Sequence, residues 1–254
     1  MSVTGSAGLK PIRPVWRPVV SDLSFVVEPD RGDGTLISFY KRAATELSDA
    51  AKDTMNTLVR GAADRGWLQP LEGFVEKMVE EGDSEQKIRA ALDELQRWRL
   101  LEVAENGAFT MLLGGISTVR TPHRAALPED VEIFTRGGLE LLSLGALLCR
   151  EVEATTRCPA CDAQISVNLN PEGLTEVSPE GIAGYQTAWD GSSPLEDVYA
   201  GSPLLCSDAC HERRQEETGP AEGIPLGADV MLFIGAPMAA EAGDSRFNII
   251  ARHH

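Results

Sequence analysis

Apolar residues in the N-terminal half recur at steps of three and four, and then the period changes. Over residues 38–63 the series Tyr40, Ala43, Ala44, Leu47, Ala51, Met55, Leu58 and Val59 predicts one amphipathic helix. A shorter helix is expected over residues 71–80, stopped by Gly82. Asp83 or Ser84 caps a third, whose apolar stripe is Ile88, Ala91, Leu92, Leu95 and Trp98. Beyond it, residues 101–104 and 108–112 flank Glu105, Asn106 and Gly107, a turn signal that folds two strands into a hairpin. Three helices followed by a short hairpin have the order of a winged helix.

Either side of that unit the pattern differs. Residues 1–34 carry Pro11, Pro14, Pro18 and Pro29 with Gly32 and Gly34, which denies helix and predicts an extended arm. The arm also holds Val15, Trp16, Val19, Val20 and Phe25, too apolar for a free tail, so it is expected against the body or a partner. Residues 113–135 read as a linker past Pro122 and Pro128, and His123 within it is assigned no role. From Gly138 a run of leucines predicts a helix buried nearly all round, in which Glu140 is the one charge before Cys149, itself read as a small core residue. Residues 164–169 alternate as a strand turned by Asn170 and Pro171, and residues 230–234 read as another. The fold class expected is α+β, with an arm at 1–34, a winged-helix-like domain at 35–125 and an α+β domain at 126–254.

Composition narrows the function. Of the 254 residues 43% are hydrophobic and 24% charged, which predicts a folded chain, and the net charge of −16 repels phosphate backbones and anionic lipid. Acidic residues outnumber basic ones in the winged-helix-like unit as well, so its third helix reads as a solvated face and nucleic acid is not an expected partner. No apolar run is long enough to span a bilayer and the first ten residues lack the core of a signal peptide, which predicts a cytoplasmic protein without a membrane partner.

Four of the five cysteines form two close pairs, Cys158 with Cys161 and Cys206 with Cys210. Two intervening residues close a knuckle whose sulfurs point at one ion, and in a reducing compartment such pairs read as zinc ligands before disulfides. The arrangement is similar to treble-clef zinc fingers, where a knuckle is joined by a second pair at a helix start. A thioredoxin-type redox pair would follow a strand at a helix N-terminus, whereas this CxxC precedes a strand. His211, beside Cys210, is a runner-up ligand only.

Residues 138–184 resemble the catalytic domain of alkylmercury lyase. The likeness rests on Cys158, on the strand over residues 163–169, and on the segment 177–183, Val-Ser-Pro-Glu-Gly-Ile-Ala, similar to a Val-Glu-Pro-Ala-Gly-Met-Ala segment of that family. A winged-helix N-terminal domain also belongs to that family. The resemblance implies a mercury-holding pair of thiolates and a carboxylate that delivers the proton to the leaving carbon. Counted back without gaps from Cys158, the attacking thiol falls on Gly137, the carboxylate on Glu140, and the second thiol on Cys206. The attacking thiol is therefore missing, and Cys206 is claimed by two roles.

Three functions follow. The first is a lyase-like enzyme in which Glu140 serves as general acid or base for elimination, cyclisation or bond cleavage on a small-molecule substrate. The second is a non-catalytic zinc-stabilised binding or assembly protein with a protein partner or a second copy of itself. The third is an organomercurial lyase or mercury-binding protein with a rearranged thiol set. A carboxyl in so apolar a helix must be protonated, paired with an arginine such as Arg136, or open onto a cleft.

Overall fold

The computed structural model describes residues 43, 45–113, 115–148, 150–171, 173–187, 197–198, 201–218 and 223–227. The proline-rich arm at 1–34, Cys149 and the strand expected at 230–234 lie outside them. The long first helix is interrupted: residues 43, 45 and 46 are helical, Leu47 and Ser48 are not, and α1 starts afresh as Asp49–Arg65. Ser48 causes the break. Its Oγ accepts from the Ala51 amide at 3.2 Å, while its own N–H and hydroxyl donate to the Glu94 carboxylate at 2.8 and 2.6 Å. A capping side chain together with a carboxylate from another helix satisfies donors that an unbroken helix would pair within itself.

Helices α2 (Leu71–Glu80) and α3 (Glu85–Arg97) follow where the pattern puts them, and α3 buries Ile88, Ala91, Leu92 and Leu95, packing on α1. On the outer side of α3, Arg89 is gripped by Glu72 at 2.6 Å and by Glu85 at 2.8 Å. The hairpin of β1 (Leu101–Val103) and β2 (Phe109–Leu112) closes through the Asn106 side chain, whose Oδ1 accepts from the Ala108 amide.

The stretch expected to be a linker is instead structured. It supplies β3 (Ile116–Ser117), β4 (His123–Leu127), a 3-10 turn at Pro128–Asp130 and β5 (Val131–Thr135). With β6 (Val152–Arg157), β7 (Gln164–Asn170) and β8 (Gly173–Ser178) these strands form one antiparallel sheet in the order β1-β2-β3-β5-β4-β6-β7-β8. The hairpin and the second half thus share a sheet that runs unbroken past residue 125. Strands β6 and β7 alternate, with Val152, Ala154 and Thr156 facing inward beside Ile165, Val167 and Leu169. A second, three-stranded sheet pairs β9 (Ala183–Thr187) with β10 (Leu204–Leu205) on one side and β11 (Gly223–Gly227) on the other.

Helix α4 (Gly138–Leu148) covers β4 to β8, and its Leu141, Leu142, Leu144, Leu147 and Leu148 are all buried. Gly145 sets the distance of approach, since a Cβ there would lie 2.5 Å from the carbonyl oxygen of Asn170 at the end of β7. Backbone cannot yield as a side-chain tip does. Gly145→Ala is therefore expected to destabilise the protein by about 1–3 kcal/mol, as overpacked cores do, measured by urea unfolding. An unchanged midpoint would contradict this packing.

Candidate metal centre and buried carboxyl

Cys158 follows the last residue of β6, and the chain turns back into β7 within five residues. The Cys158 amide donates to the Ala163 carbonyl at 2.8 Å, and the Asp162 amide donates to the Cys158 carbonyl at 2.8 Å. Asp162 takes a left-handed φ of 62° to close this knuckle, a conformation aspartate tolerates better than most residues. Cys206 comes directly after β10, and Cys210 sits in the first turn of α5 (Asp208–Thr218). Ser207 caps that helix, its Oγ accepting from the Cys210 amide at 3.3 Å. Two tight turns, from parts of the chain about half a domain apart, thus deliver four sulfurs to one place.

Those sulfurs all lie within 4.8 Å of one another, with Cys161 to Cys206 at 3.3 Å and Cys206 to Cys210 at 3.4 Å. The edge of a zinc–thiolate tetrahedron is roughly 3.8 Å, given a Zn–S bond of about 2.3 Å, and a disulfide needs about 2.05 Å. The cluster is thus near a metal geometry and far from a disulfide; all four cysteines are free. Burial and the neighbouring Cys161 and Cys210 sulfurs push the Cys206 thiol up, whereas the Ser207 hydroxyl and Cys206 pull the Cys210 thiol down. Thiols this close share protons, and a divalent cation replaces those protons with one charge that all four sulfurs see. The set fits a soft divalent ion such as zinc. His211 is not in the cluster; its Nε2 lies 3.0 Å from Gln215 Nε2.

The centre is enclosed unequally. Cys158 is 1% exposed and Cys210 9%, while Cys161 stands exposed at the rim of a cleft of about 510 Å³. Prolines 122, 159 and 203 line this cleft with His123, Arg157 and Arg214. Burial lowers the His123 pKa and so keeps its ring neutral, and its Nδ1 meets Thr156 Oγ1 at 2.8 Å. Arg157 precedes Cys158 and Arg214 follows Cys210 by one turn of α5, whereas Pro122 and His123 come from β4 and its approach, a stretch that no linear spacing ties to the cysteines.

Glu140 occupies the first turn of α4, 5% exposed, and among the described residues neither carboxyl oxygen makes a well-formed hydrogen bond, although the amides of Glu140 and Gly137 act on it. Arg136 does not pair with it but turns to Glu102. Desolvation raises the Glu140 pKa to about 8, against an opposing pull from the amides of Glu140 and Gly137. Its surroundings are built to admit it. A Cβ on Gly115 would lie 2.5 Å from Glu140 Cγ, and the Gly115 carbonyl accepts from the Arg136 amide at 2.9 Å. Thr135 Oγ1 donates to the Gly137 carbonyl at 2.8 Å and fixes the entry into α4. A Cβ on Gly138 would meet the Leu204 amide nitrogen at 2.7 Å, so the strand that leads to Cys206 closes over the start of the helix that carries Glu140.

Among solved structures, the crystal structure of the mercury-bound form of MerB2 has the same fold, with a TM-score of 0.67 over 81% of this chain and 98% of that one. The two sequences are 15% identical, so the likeness is one of fold. No family model and no curated protein matches the chain. The mixed helix-and-sheet fold expected from the alkylmercury-lyase resemblance is the one observed. Among the described residues no helix is long and apolar enough to cross a membrane.

Purified chain is expected to carry one zinc, measured by elemental analysis. Cys158→Ser or Cys210→Ser should lose it and several kcal/mol of stability, part of the roughly 10–16 kcal/mol that structural zinc contributes in small peptides. Variants that unfold at the parent midpoint would contradict a structural ion.

Proposed function

We propose that this chain is a divergent enzyme on the alkylmercury-lyase fold, with Glu140 as the proton-transfer group acting on a small metabolite. In this reading zinc on Cys158, Cys161, Cys206 and Cys210 is structural, and the N-terminal helices with their hairpin are a winged-helix-like scaffold that does not read DNA. The observation that carries it is the setting of Glu140, buried in an apolar helix with neither oxygen in a well-formed hydrogen bond to the described residues. An unsatisfied buried carboxyl costs stability, and such groups persist where a ligand completes them. Counting from Cys158 sets Gly137 at the attacking-thiol position, so a thiol pair across mercury is not available from these residues, while the acid position is filled.

The chemistry follows from the surroundings of Glu140. With a pKa near 8 it is protonated at neutral pH and acts first as an acid, giving its proton to a leaving carbon or heteroatom. The carboxylate left behind lies in the first turn of α4, where the Gly137 and Glu140 amides and the positive end of the helix favour the anion. Elimination, cyclisation and bond cleavage each need such a group. A reducing cytoplasm, which keeps the thiols free for metal, is the compartment this reading assumes.

A second reading, an organomercurial lyase or mercury-binding protein with a rearranged thiol set, is favoured by the exposed position of Cys161 and by the mercury in the solved neighbour. Release of inorganic mercury from an organomercurial by the purified chain would support it over the first.

Glu140→Gln tests the primary reading. The unfolded chain gives up this proton near 4.5 and the folded chain holds it to about 8, so the folded state binds more protons between those values. Stability is therefore fully present below 4.5 and falls as pH rises toward 8, by on the order of 1.4 kcal/mol per pH unit at most. The glutamine variant should lose this dependence, be the more stable protein at pH 8, keep its zinc, and turn over no substrate that the parent eliminates or cleaves. Equal pH profiles for the two proteins, or full activity in the variant, would refute the role.

A further inference from the structure

The unequal exposure of the four thiols has a chemical consequence. Cys158 and Cys210 are almost sealed, whereas Cys161 is exposed on the knuckle and lines the cleft of about 510 Å³. An oxidant entering from solvent meets Cys161 first. The sulfur beside it is Cys206, 3.3 Å away and 45 residues distant in the chain, carried by the turn between β10 and α5. A bond between them needs an approach of little more than an ångström. Cys206 also touches Cys210, so removing it from the ligand set disturbs the centre on both sides.

We propose that Cys161 is a site of oxidative modification by hydrogen peroxide, through which the metal centre is opened as a Cys161–Cys206 disulfide. The inference rests on the metal reading of the four cysteines. The Cys161 thiolate attacks one peroxide oxygen; an S–O bond forms, the O–O bond breaks, and hydroxide leaves and is protonated to water. The Cys206 thiolate then attacks the Cys161 sulfenic sulfur; the S–S bond forms, the S–O bond breaks, and the second oxygen leaves as water after taking up a proton. Two thiolates, one peroxide and two protons give one disulfide and two waters, so the two sulfurs lose the two electrons that the peroxide gains. Arg214 lines the same cleft, as does Arg157, whose charge is paired with the Asp162 carboxylate at 3.0 Å. Two thiolates, Cys158 and Cys210, remain, too few for a tetrahedral zinc site, and the ion is released.

This differs from a thioredoxin-type pair, because the bond joins the two turns rather than the two cysteines of the CxxC. The other thiols are poorer starting points: Cys158 borders the same cleft but is only 1% exposed, and Cys210 is 9% exposed.

The test uses the zinc-loaded full chain, treated with hydrogen peroxide and followed by a chromogenic zinc chelator, by thiol titration, and by peptide mass mapping. One zinc should appear for every two thiols lost, with Cys161 and Cys206 in one cross-linked peptide pair, and added thiol reductant should restore zinc binding. Cys161→His keeps a zinc ligand without an oxidisable sulfur, and it should retain zinc while releasing it at least about tenfold more slowly, since oxidation follows exposed thiolate character. Cross-links mapped only to other cysteine pairs would overturn the proposal. So would zinc held under peroxide by the parent chain, or release from Cys161→His at the parent rate. A reduced chain that takes up no zinc would overturn the metal reading and this proposal with it, whereas bound zinc that resists peroxide overturns this proposal alone.

Discussion

Four sulfurs meeting within 4.8 Å are the constraint on which the second half of this molecule turns. Thiols brought so close repel one another if all ionise, and a divalent ion bound among them would remove that repulsion. Such an ion would also tie the β6–β7 knuckle to the turn that starts α5. β10, which leads to Cys206, places Leu204 over Gly138 at the start of the helix that carries Glu140. The cysteine cluster and the buried carboxyl are therefore parts of one packing unit.

Glycines make that unit compact. Gly115 leaves room for the Glu140 side chain and Gly138 for the Leu204 backbone, while Gly145 lets α4 down onto β7. An ordinary helix at this place would stand off from the sheet by a methyl group and would leave the carboxyl in reach of water. The close approach instead strips water from Glu140 and pushes its pKa toward neutrality. The raised pKa of Glu140 and the tight packing thus have one structural cause.

How much of this was legible in the chain depends on where each determinant sits. The cysteine pairs could be read because each pair lies within one short turn, and the turn alone aims both sulfurs. Helices α2 and α3 and strand β7 could be read because their apolar periodicities are strong, and α4 because its run of leucines is long. Strands β4 and β5 could not: Pro122 and Pro128 bracket β4, β5 follows Pro128 after a short turn, and what makes both strands is pairing with each other and with β3 and β6. The break at Ser48 was hidden for a similar reason, since Glu94, which holds it open, lies on another helix. Glu140 stood out as the lone charge in its helix, but its isolation did not, because Arg136 is drawn away by Glu102 and Gly115 arrives from the turn before β3. The cleft beside Cys161 was invisible for the same cause, since Pro122, His123 and Pro203 are brought to the cysteine knuckle only by the fold.

The claim on which the account stands is that one ion is held by all four thiolates. X-ray absorption at the zinc edge of the purified, reduced chain tests it most directly. The account predicts a single shell of four sulfur atoms at about 2.3 Å and no nitrogen or oxygen in the first shell. A mixed shell with nitrogen or oxygen, fewer than four sulfurs, or no zinc signal above background would contradict it.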